Sequence, residues 1–469
     1  MRSGSRLVLA LALAVVVAST GTYLQRTVGS KPTATATAGT ASSGAWFCPH
    51  GGGKGWTVTL EIANPGTQAV NVRLSGLSSG KPGRPQSLSV PPRAEIQVPA
   101  VSSDRAATSL VEYFGGWVAA GWVARAGGGE TGVAAEPCAP AAGRTLLLPD
   151  GVTQRGEDGY LIVMNPFGTD AILSIALYTA DSPPIRPKDW SDFALGAGRS
   201  TAFRINAFAL GRSAVTAAIR VSVGRVAASS LGVSSASGVR SVEAISAPTS
   251  RSILPAGLDQ AKAQLAVGNV GRAPARFAAA VSATDSDQIA PGLEGVSIPP
   301  ESAKAFDVDT SGPAALTVNA RSPGVATAIR AIGQASHDEA GSAGSSAPHG
   351  SWVVLPTVAA SPATPALTLT NPGEGAAKVT LTLLPVSGKS LVPTPKGNPP
   401  DPQTLDVPAG RTVTAPKRFV EAGPADAVLV VARSGSIVAA SSSYSAGANG
   451  VGGYSIATGV PVPPEEEPG

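Results

Sequence analysis

A possible nucleophile motif lies at Gly76-Leu77-Ser78-Ser79-Gly80, which matches the spacing G-x-S-x-G. A serine in that motif reacts where a strand turns sharply into a helix and presents the hydroxyl to a histidine and an acid. The residues that follow read Lys-Pro-Gly-Arg-Pro, which cannot form a helix, and no histidine lies near them in the sequence. We therefore interpret this stretch as a serine-rich loop. The alternative, a hydrolase, predicts that Ser78→Ala abolishes an activity.

Metal-binding patterns are incomplete as well. Asp307–Gly312 resembles the first half of a calcium loop, but position twelve is Val318, where an EF-hand requires a bidentate glutamate. His50, His337 and His349 lie in segments rich in Gly, Pro and Ser, and we expect them to be exposed linker residues. The sequence therefore predicts no catalytic residue, no metal site and no cofactor.

The chain has two cysteines, Cys48 and Cys138. In an exported chain a single pair placed in this way predicts a disulfide bond. Closing a loop of about 90 residues would stabilise the segment by on the order of 4–5 kcal/mol on the chain-entropy model. The alternatives are two free thiols or a metal pair, and the absence of a histidine near Cys138 in the sequence disfavours the metal pair.

Tryptophan is concentrated near the start of the chain, where four of the six residues are Trp46, Trp56, Trp117 and Trp122. Trp56 and Trp122 are expected to fill a sandwich core. Trp117 aligns with Arg225 of the segment about 100 residues later, so we expect it to face solvent. An exposed aromatic ring can stack on a sugar ring or pack against a partner, which makes Trp117 the candidate ligand-binding residue. A core position for Trp117 fits the sequence equally well.

The elements that would position these residues are organised by a turn that occurs four times, about 100 residues apart. Its four copies are Asn64-Pro65-Gly66, Asn165-Pro166-Phe167-Gly168, Asn269-Val270-Gly271 and Asn371-Pro372-Gly373. Proline at the second position and glycine at the third predict a type II turn with the glycine at positive φ. The period predicts four copies of one small fold in tandem.

Strands with one buried face are predicted on both sides of each turn. Val58, Leu60 and Ile62 are predicted to face a core, while Thr59 and Glu61 between them are predicted to face solvent. Two later landmarks, a Pro/Gly turn and a small-residue strand, recur in the same order in every copy. The turns are Val90-Pro91-Pro92-Arg93, Gly196-Ala197-Gly198-Arg199, Ile298-Pro299-Pro300-Glu301 and Val407-Pro408-Ala409-Gly410-Arg411, and the strands begin at Val118, Val226, Val325 and Val438.

Composition favours turn-rich β structure. The 469 residues are 43% hydrophobic and 14% charged and include 55 Gly and 41 Pro, with little helical patterning. The formal net charge is only +4 and there is no block of Lys or Arg, so nucleic-acid binding has little support.

The N-terminus has the pattern of an export signal. Arg2 and Arg6 precede the apolar run Leu7–Ala18, which is too short to span a bilayer alone. Cleavage near Ser19 would release the chain, whereas an apolar stretch extended to Leu24 would remain as a membrane anchor. Both alternatives predict an extracytoplasmic location.

The predicted organisation follows from these landmarks. It comprises a signal peptide or signal anchor (1–29), a Thr/Ala/Ser-rich stalk (30–45), repeat 1 with the disulfide (46–141), repeat 2 (142–248), repeat 3 (249–339), a Gly/Ser linker (340–350), repeat 4 (351–460) and an acidic, solvated tail (461–469). The sequence leaves open whether the four repeats pack together or hang as separate beads.

The opening Trp46-Phe47-Cys48-Pro49, the turn Asn64-Pro65-Gly66 and the later turn Val90-Pro91-Pro92 carry a family resemblance. With the exported N-terminus, they resemble a family of uncharacterised actinobacterial envelope proteins known only as a domain of unknown function. The Ala-, Gly- and Val-rich composition is similar to that of high-GC actinobacterial proteins. The resemblance implies no activity and no site residues.

The sequence as a whole predicts an all-β protein of four tandem Ig-like β-sandwich domains after an N-terminal hydrophobic helix. The predicted function is a non-catalytic extracytoplasmic scaffold or binding protein of the cell envelope, with no known ligand. The alternative is a carbohydrate- or peptidoglycan-binding accessory protein in envelope glycan assembly, with Trp117 in the site. An envelope protein or a cell-wall glycan is the expected partner, together with the membrane if the N-terminal helix stays uncleaved.

Overall fold

A computed structural model describes residues 42–257, 260–310, 312–321, 325–358, 362–388, 390, 400–447 and 450–466. The predicted signal segment, 1–29, and the stalk up to residue 41 lie outside the described residues. Residues 43–45, the end of the predicted stalk, belong to the first strand. Within the described ranges, no helix is long and apolar enough to cross a membrane.

Almost all regular structure in the described part of the chain is β-strand, as the period-two alternation predicts. Repeat 1 contains β1 (Ser43–Cys48), β2 (Thr57–Asn64), β3 (Val70–Leu77), β4 (Gln86–Val90), β5 (Ala94–Ala100), β6 (Thr108–Phe114), β7 (Ala119–Arg125) and β8 (Val133–Pro137). Repeat 2 contains β9 (Thr145–Gly151), β10 (Glu157–Asn165), β11 (Ala171–Tyr178), β12 (Phe193–Leu195), β13 (Arg199–Arg204), β14 (Val215–Val223), β15 (Ala227–Ser234) and β16 (Gly238–Glu243).

The second half of the chain repeats this series. Repeat 3 contains β17 (Arg251–Gly257), β18 (Gln260–Asn269), β19 (Ala275–Ala283), β20 (Asp287–Ile289), β21 (Val296–Ile298), β22 (Ser302–Val308), β23 (Ala314–Ala320), β24 (Val325–Gly333) and β25 (Glu339–Ser342). Repeat 4 contains β26 (Ser351–Val354), β27 (Thr364–Thr370), β28 (Ala377–Leu384), β29 (Gln403–Val407), β30 (Thr412–Thr414), β31 (Ala427–Ser434), β32 (Val438–Gly447), β33 (Gly450–Thr458) and β34 (Val460–Pro461). Among the described residues, the helical elements are α1 (Lys417–Ala422) and the 3-10 turns Lys188–Trp190, Ile205–Ala207 and Pro464–Glu466.

The strands of the described residues form eight antiparallel sheets, so the fold class is all-β, as predicted. Each repeat supplies two sheets with the same two strand orders. Repeat 1 has the orders β1-β6-β3-β4 and β5-β2-β7-β8, and repeat 2 has β12-β11-β14-β9 and β13-β10-β15-β16. Repeat 3 has β17-β23-β19-β20, with β21 also paired to β19, and β22-β18-β24-β25. Repeat 4 has β29-β28-β31-β26-β34 and β30-β27-β32-β33. The core of a repeat lies between its two sheets, as with Leu146, Leu173 and Val163 in repeat 2, which is a sandwich-like arrangement.

The repeated asparagine fastens each turn to the later Pro/Gly turn. The Asn64 side-chain amide donates to the carbonyl oxygens of Gln68 (2.7 Å), Val90 (3.1 Å) and Pro91 (3.0 Å). Equivalent bonds are made by Asn165, Asn269 and Asn371. All four asparagines are buried. The turn therefore recurs because one side chain satisfies several buried carbonyl groups at once.

The expectation of a type II turn with glycine at positive φ was wrong. The positive-φ glycines do not include Gly66, Gly168, Gly271 or Gly373. Instead, the asparagine Oδ1 accepts from the backbone N–H two residues later, as in the 2.9 Å bond from Gly66 to Asn64. This is an Asx turn, in which the asparagine side chain takes the place of a backbone carbonyl. Left-handed residues occur instead in the later turn, at Arg93, Gly198, Glu301 and Gly410.

The four repeats pack around a common centre rather than hanging as beads. β8 contacts β16 and β33, and β25 contacts the same two strands. The last hairpin strand of every repeat therefore lies at the centre, and repeat 4 meets repeat 1. The described residues from 43 onward form one compact unit. When each repeat contacts the next through a different face from the one that contacts the previous repeat, the repeats close into a ring if the rotations between neighbours add up to a full turn.

Ring closure buries segments that the sequence analysis placed in solvent. In the predicted Gly/Ser linker, residues 340–342 belong to β25 and are buried, and Ser345 pairs with Ile253. In the predicted solvated tail, Val462 is buried and its N–H donates to the carbonyl of Ser351. Polar composition does not reveal that a neighbouring repeat covers these segments.

The predicted alternation around the first turn holds on one face and fails on the other. Val58, Leu60 and Ile62 are buried in the core of repeat 1, as predicted. Thr59 is half-buried, whereas Glu61 is only 2% exposed. The prediction that Glu61 faces solvent was wrong because the outer side of its sheet is covered by repeat 4.

Candidate functional site

The serine motif contributes to a turn and to a contact between repeats. The Ser78 hydroxyl accepts from the backbone N–H of Gly80 (3.1 Å), and the Ser78 carbonyl accepts from the N–H of Ser200 (3.1 Å). Ser79 donates its hydroxyl to Asp104 at 2.8 Å. These bonds fit the interpretation of a serine-rich loop, because each polar group serves the local fold.

Asp307 of the calcium-like segment is used in a similar way. Asp307 lies in β22 on the exposed side, where its carboxylate accepts from the side-chain amide of Gln264 at 2.8 Å. Within the described residues, no group of three or more His, Cys, Asp or Glu is placed to hold a metal ion.

The histidines have three different environments. His337 is exposed, as expected, and His349 is half-buried with its ring 5.1 Å from that of Trp352. The prediction that His50 is an exposed linker residue was wrong. Its side chain is fully buried, Nδ1 lies 2.6 Å from the carbonyl oxygen of Gly51 and Nε2 lies 2.9 Å from the hydroxyl of Ser109. Burial lowers the pKa of His50 to about 4, although the bond to Gly51 opposes this, so the ring is neutral at neutral pH.

The disulfide between Cys48 and Cys138 is confirmed, with 4.5 Å between the Cα atoms. It joins β1 to the segment after β8. Both cysteines are buried in the core of repeat 1, and Cys48 lies two residues before His50 in the sequence.

The expectation that Trp117 faces solvent was wrong. Its side chain is 6% exposed, and its ring stands edge-to-face with that of Trp46 at a centroid distance of 6.1 Å. The Trp46 indole N–H donates to the carbonyl of Val118 at 2.7 Å, which holds the pair over the end of the core. Trp56 and Trp122 are buried in the same core, as predicted. A ring packed in this way has no free face on which a sugar could stack.

The sequence analysis missed the residue at the centre of the ring, Asp338. Its Oδ2 accepts from the backbone N–H groups of Val133 (2.8 Å) and Tyr454 (2.7 Å). Its Oδ1 accepts from Val239 (3.1 Å) and Glu339 (2.9 Å). The four donors come from repeats 1, 4, 2 and 3, so one fully buried carboxyl group ties all four repeats together. Burial raises the pKa of Asp338, and the four N–H groups act against that rise.

Backbone conformation lets the strands approach Asp338 this closely. Gly132 and Gly238, which precede two of the donors, have positive φ, and so does His337 beside Asp338. A Cβ atom on Gly132 would lie 2.4 Å from Oδ1 of Asp338. Only glycine fits at position 132, because the site needs both the left-handed conformation and the space.

A group of buried and half-buried charges joins repeats 2 and 3 beside Asp338, and we call it the charge cluster (Asp150, Glu157, Arg240, Arg330, Glu339). Arg240 is 1% exposed; its Nε lies 2.7 Å from Asp150, and its Nη1 contacts Glu339 and lies 3.4 Å from Glu157. Arg330 lies 2.9 Å from Glu339. Burial opposes the charge on Glu339, but Arg240 and Arg330 outweigh it and lower its pKa. The same carboxylates hold the pKa of Arg240 above its ordinary value despite burial.

The sequence carried a weak signal for these residues. Asp338 and Glu339 form the only acidic pair in the Ala-, Gly- and Ser-rich stretch that closes repeat 3. Arg240 stands in β16 among small or apolar residues, and that strand ends at Glu243. A charge in such a strand indicates an ion pair, but the sequence does not reveal the partner because it lies in another repeat.

Comparisons with known proteins give a family but no activity. No curated protein matches the chain. Among solved structures, trypsin-activated alpha-2-macroglobulin from Escherichia coli aligns at 10% identity over 85% of this chain and 40% of that chain. The TM-score of that alignment is 0.11, so the likeness carries no argument about fold or function.

The family match agrees with the resemblance seen in the sequence. Residues 100–352, more than half of the chain, match a family of unknown function, DUF5719. The matched range runs from the end of β5 in repeat 1 to the start of repeat 4, and it includes Asp338 and the charge cluster. An actinobacterial origin stays a prediction. The chain belongs to the DUF5719 family of unknown function.

Proposed function

We propose that this protein is a non-catalytic scaffold or binding protein of the extracytoplasmic cell envelope, built from four Ig-like β-sandwich domains. The observation that carries the proposal is the bonding of Asp338 to backbone groups of all four repeats. Buried ionisable residues commonly mark an active site. Here the most deeply buried ones bind other parts of the same chain, which favours a structural role.

The Ig-like assignment rests on the recurring pair of strand orders and the sandwich-like cores. An extracytoplasmic location is supported by the Cys48–Cys138 disulfide, because such bonds persist in oxidising compartments. Fold alone does not supply a ligand, since sandwiches of this type serve many functions.

The location can be tested by trapping thiols with acid in intact cells of the native host and labelling them with a maleimide polymer. We expect no label on the chain until a reductant is added. Two cysteines that label without reduction would contradict an extracytoplasmic location.

The scaffold proposal can be tested with purified residues 43–469, immobilised and exposed separately to isolated cell wall and to detergent-solubilised membranes over a salt series. We expect retention of one defined envelope protein that resists salt. Turnover of acyl or glycosyl substrates that is lost in Ser78→Ala would contradict the proposal and favour a hydrolase.

Glycan binding stays the alternative, but the buried position of Trp117 removes its main support. If Trp117 only stabilises the core, Trp117→Phe should leave retention on cell wall unchanged while lowering the melting temperature. Salt-resistant retention on cell wall that disappears in Trp117→Phe, with the melting temperature unchanged, would favour the glycan function.

A further inference from the structure

The contact between repeats 1 and 4 closes the ring, and we call it the closing junction. Its backbone contact is a parallel bridge between Glu95 and Val386. The Glu95 N–H donates to the carbonyl of Pro385 (3.0 Å), and the Ser387 N–H donates to the carbonyl of Glu95 (2.7 Å). The outer face of the sheet β5-β2-β7-β8 thus packs directly on repeat 4.

The closing junction differs from the other three in chain connectivity. β8 leads directly into β9, β16 into β17 and β25 into β26, so neighbouring repeats are tethered by short connections. No such connection joins repeat 4 back to repeat 1, because they stand at opposite ends of the sequence. Opening here stretches no chain connection, so the short connections that hold the other three junctions together do not oppose it.

Two buried glutamates lie on the repeat 1 side of the closing junction. Glu61 pairs in register with Gln97 on β5 and Gly121 on β7, so its side chain shares their face of the sheet. Gln97 donates to Glu95 (3.2 Å) and to the carbonyl of Ala425 in repeat 4 (3.0 Å). Glu95 accepts from the N–H of Ala427 at 2.6 Å. Oε2 of Glu61 is buried without a hydrogen-bond partner among the described residues.

The charges that face these glutamates are of the same sign. β2 supplies Glu61, β5 supplies Glu95 and the neutral Gln97, and β7 supplies only Gly121. From repeat 4, Asp426 lies close enough to act on Glu95. In the described part of the chain, none of these three carboxyl groups forms an ion pair with Lys, Arg or His.

The same positions carry no charge in the other repeats. Counted from the repeated asparagine and the later turn, Glu61 aligns with Ile162, Ala266 and Thr368, and Glu95 aligns with Ser200, Ala303 and Thr412. All six of these residues are buried. Packing one repeat on the next therefore does not require a carboxyl group at either position.

We propose that the closing junction is a proton-controlled gate, which is closed while Glu61 and Glu95 hold a proton between them and opens when both are ionised. Two carboxylates that share a buried, cation-free site repel each other and lose hydration, whereas one proton removes the repulsion and supplies a donor. Opening returns both side chains to water, where each ionises freely. The gate thus couples the shape of the ring to the pH of its surroundings.

Whether the gate opens at high or at low pH follows from the pKa shifts of the two glutamates in the closed ring. Burial raises the pKa of Glu61, and the neighbouring Glu95 raises it further. Burial also raises the pKa of Glu95, although Gln97 and Ala427 act against it. The closed ring then binds more protons than the open ring above the ordinary glutamate pKa of about 4.3, so closure weakens as pH rises from there.

The gate can be tested by hydrogen exchange of the amides of Glu95, Ser387 and Ala427 between about pH 5 and pH 9, corrected for intrinsic exchange. We expect the opening constant at these amides to rise by up to about tenfold for each pH unit, because one proton is released on opening. Glu61→Gln should flatten this profile, since an amide has the shape of the protonated acid but does not ionise. Small-angle scattering should show a larger radius of gyration at high pH at every protein concentration.

A matched control is Glu243→Gln. Burial raises the pKa of Glu243 to about 8, but Glu243 lies beside Glu136 between repeats 1 and 2, which the chain tethers. This variant should keep the wild-type profile at Glu95, Ser387 and Ala427. A flat profile in the wild type, or an unchanged profile in Glu61→Gln, would overturn the gate.

Discussion

The charge cluster and the closing junction bury carboxyl groups to the same extent, yet their surroundings lead to opposite ionisation. Glu339 is 0% exposed and faces Arg240 and Arg330, which lower its pKa. Glu61 is 2% exposed and faces another glutamate, which raises its pKa. Burial by itself therefore does not decide whether a carboxyl group strengthens or weakens an interface; its nearest charge does.

The comparison also separates permanent contacts from conditional ones. The charge cluster joins repeats 2 and 3, which are also tethered by a short chain connection. The closing junction has no tether and contains unpaired carboxyl groups. We expect the first interface to persist across the pH range of folding and the second to respond to pH.

The largest effect is expected when the cation of the charge cluster is removed. Arg240→Met leaves Asp150, Glu157 and Glu339 buried beside an apolar side chain, so the free energy of unfolding should fall by about 3–5 kcal/mol. Urea denaturation measures this change. Arg204→Met is the control, because its partner Asp158 and Arg204 itself are largely exposed, and it should cost less than about 1 kcal/mol. Equal losses in the two variants would contradict the view that the buried charge cluster stabilises the protein more than an exposed ion pair does.

The second-largest loss of stability is expected at Asp338, which bonds to backbone groups of all four repeats. Asp338→Asn replaces one acceptor oxygen by an amide nitrogen, so two of the four backbone donors lose their partner. Stability should fall by about 2–4 kcal/mol in the same denaturation experiment. Asp307→Asn, at an exposed position on β22, should have almost no effect. An unchanged stability in Asp338→Asn would show that the four repeats do not depend on this residue.

Replacing a buried glutamate by glutamine should change stability in opposite directions in the charge cluster and in the closing junction. Glu339→Gln should lower stability by about 1–2 kcal/mol at neutral pH, because a folded-state pKa below the unfolded value contributes stability above the unfolded pKa. That contribution is lost as pH falls through the folded-state pKa. Glu61→Gln should raise stability by about 1 kcal/mol at neutral pH and change little below about pH 4, because its raised pKa costs stability above the unfolded value. Thermal melts at several pH values measure both changes. If the two variants shifted the melting temperature in the same direction at neutral pH, the comparison would be refuted.

The smallest effect is expected at the surface pair between repeats 2 and 3. Arg186 lies 3.2 Å from Glu301, and their side chains are 56% and 37% exposed. Arg186→Ala should lower stability by less than about 1 kcal/mol, and less at high salt, because water and ions screen the pair. A loss comparable to that of Arg240→Met would mean that exposed charges also hold the ring.

Sequence reasoning found the features that depend on neighbours along the chain. The alternation of Val58, Leu60 and Ile62 predicted their burial, and the two cysteines predicted the disulfide. It failed where burial came from another repeat, as at Glu61 and the segment around residue 340. It also failed at His50, whose ring bonds to Gly51 and Ser109 within repeat 1. It also missed Asp338. The four donors to its carboxyl group are backbone N–H groups, which almost every residue type has, so the sequence at those positions gives no sign of the bonds.

The sequence by itself determined the all-β class and the fourfold repetition, because strand periodicity and turn residues act over a few positions. It also determined the disulfide partners, since the chain has only two cysteines. Only the tertiary structure decided that the repeats form a ring, that Trp117 is in the core and that Glu61 and Glu95 meet repeat 4. These facts depend on the outer faces of sheets, whose surroundings are fixed by segments hundreds of residues away in the chain.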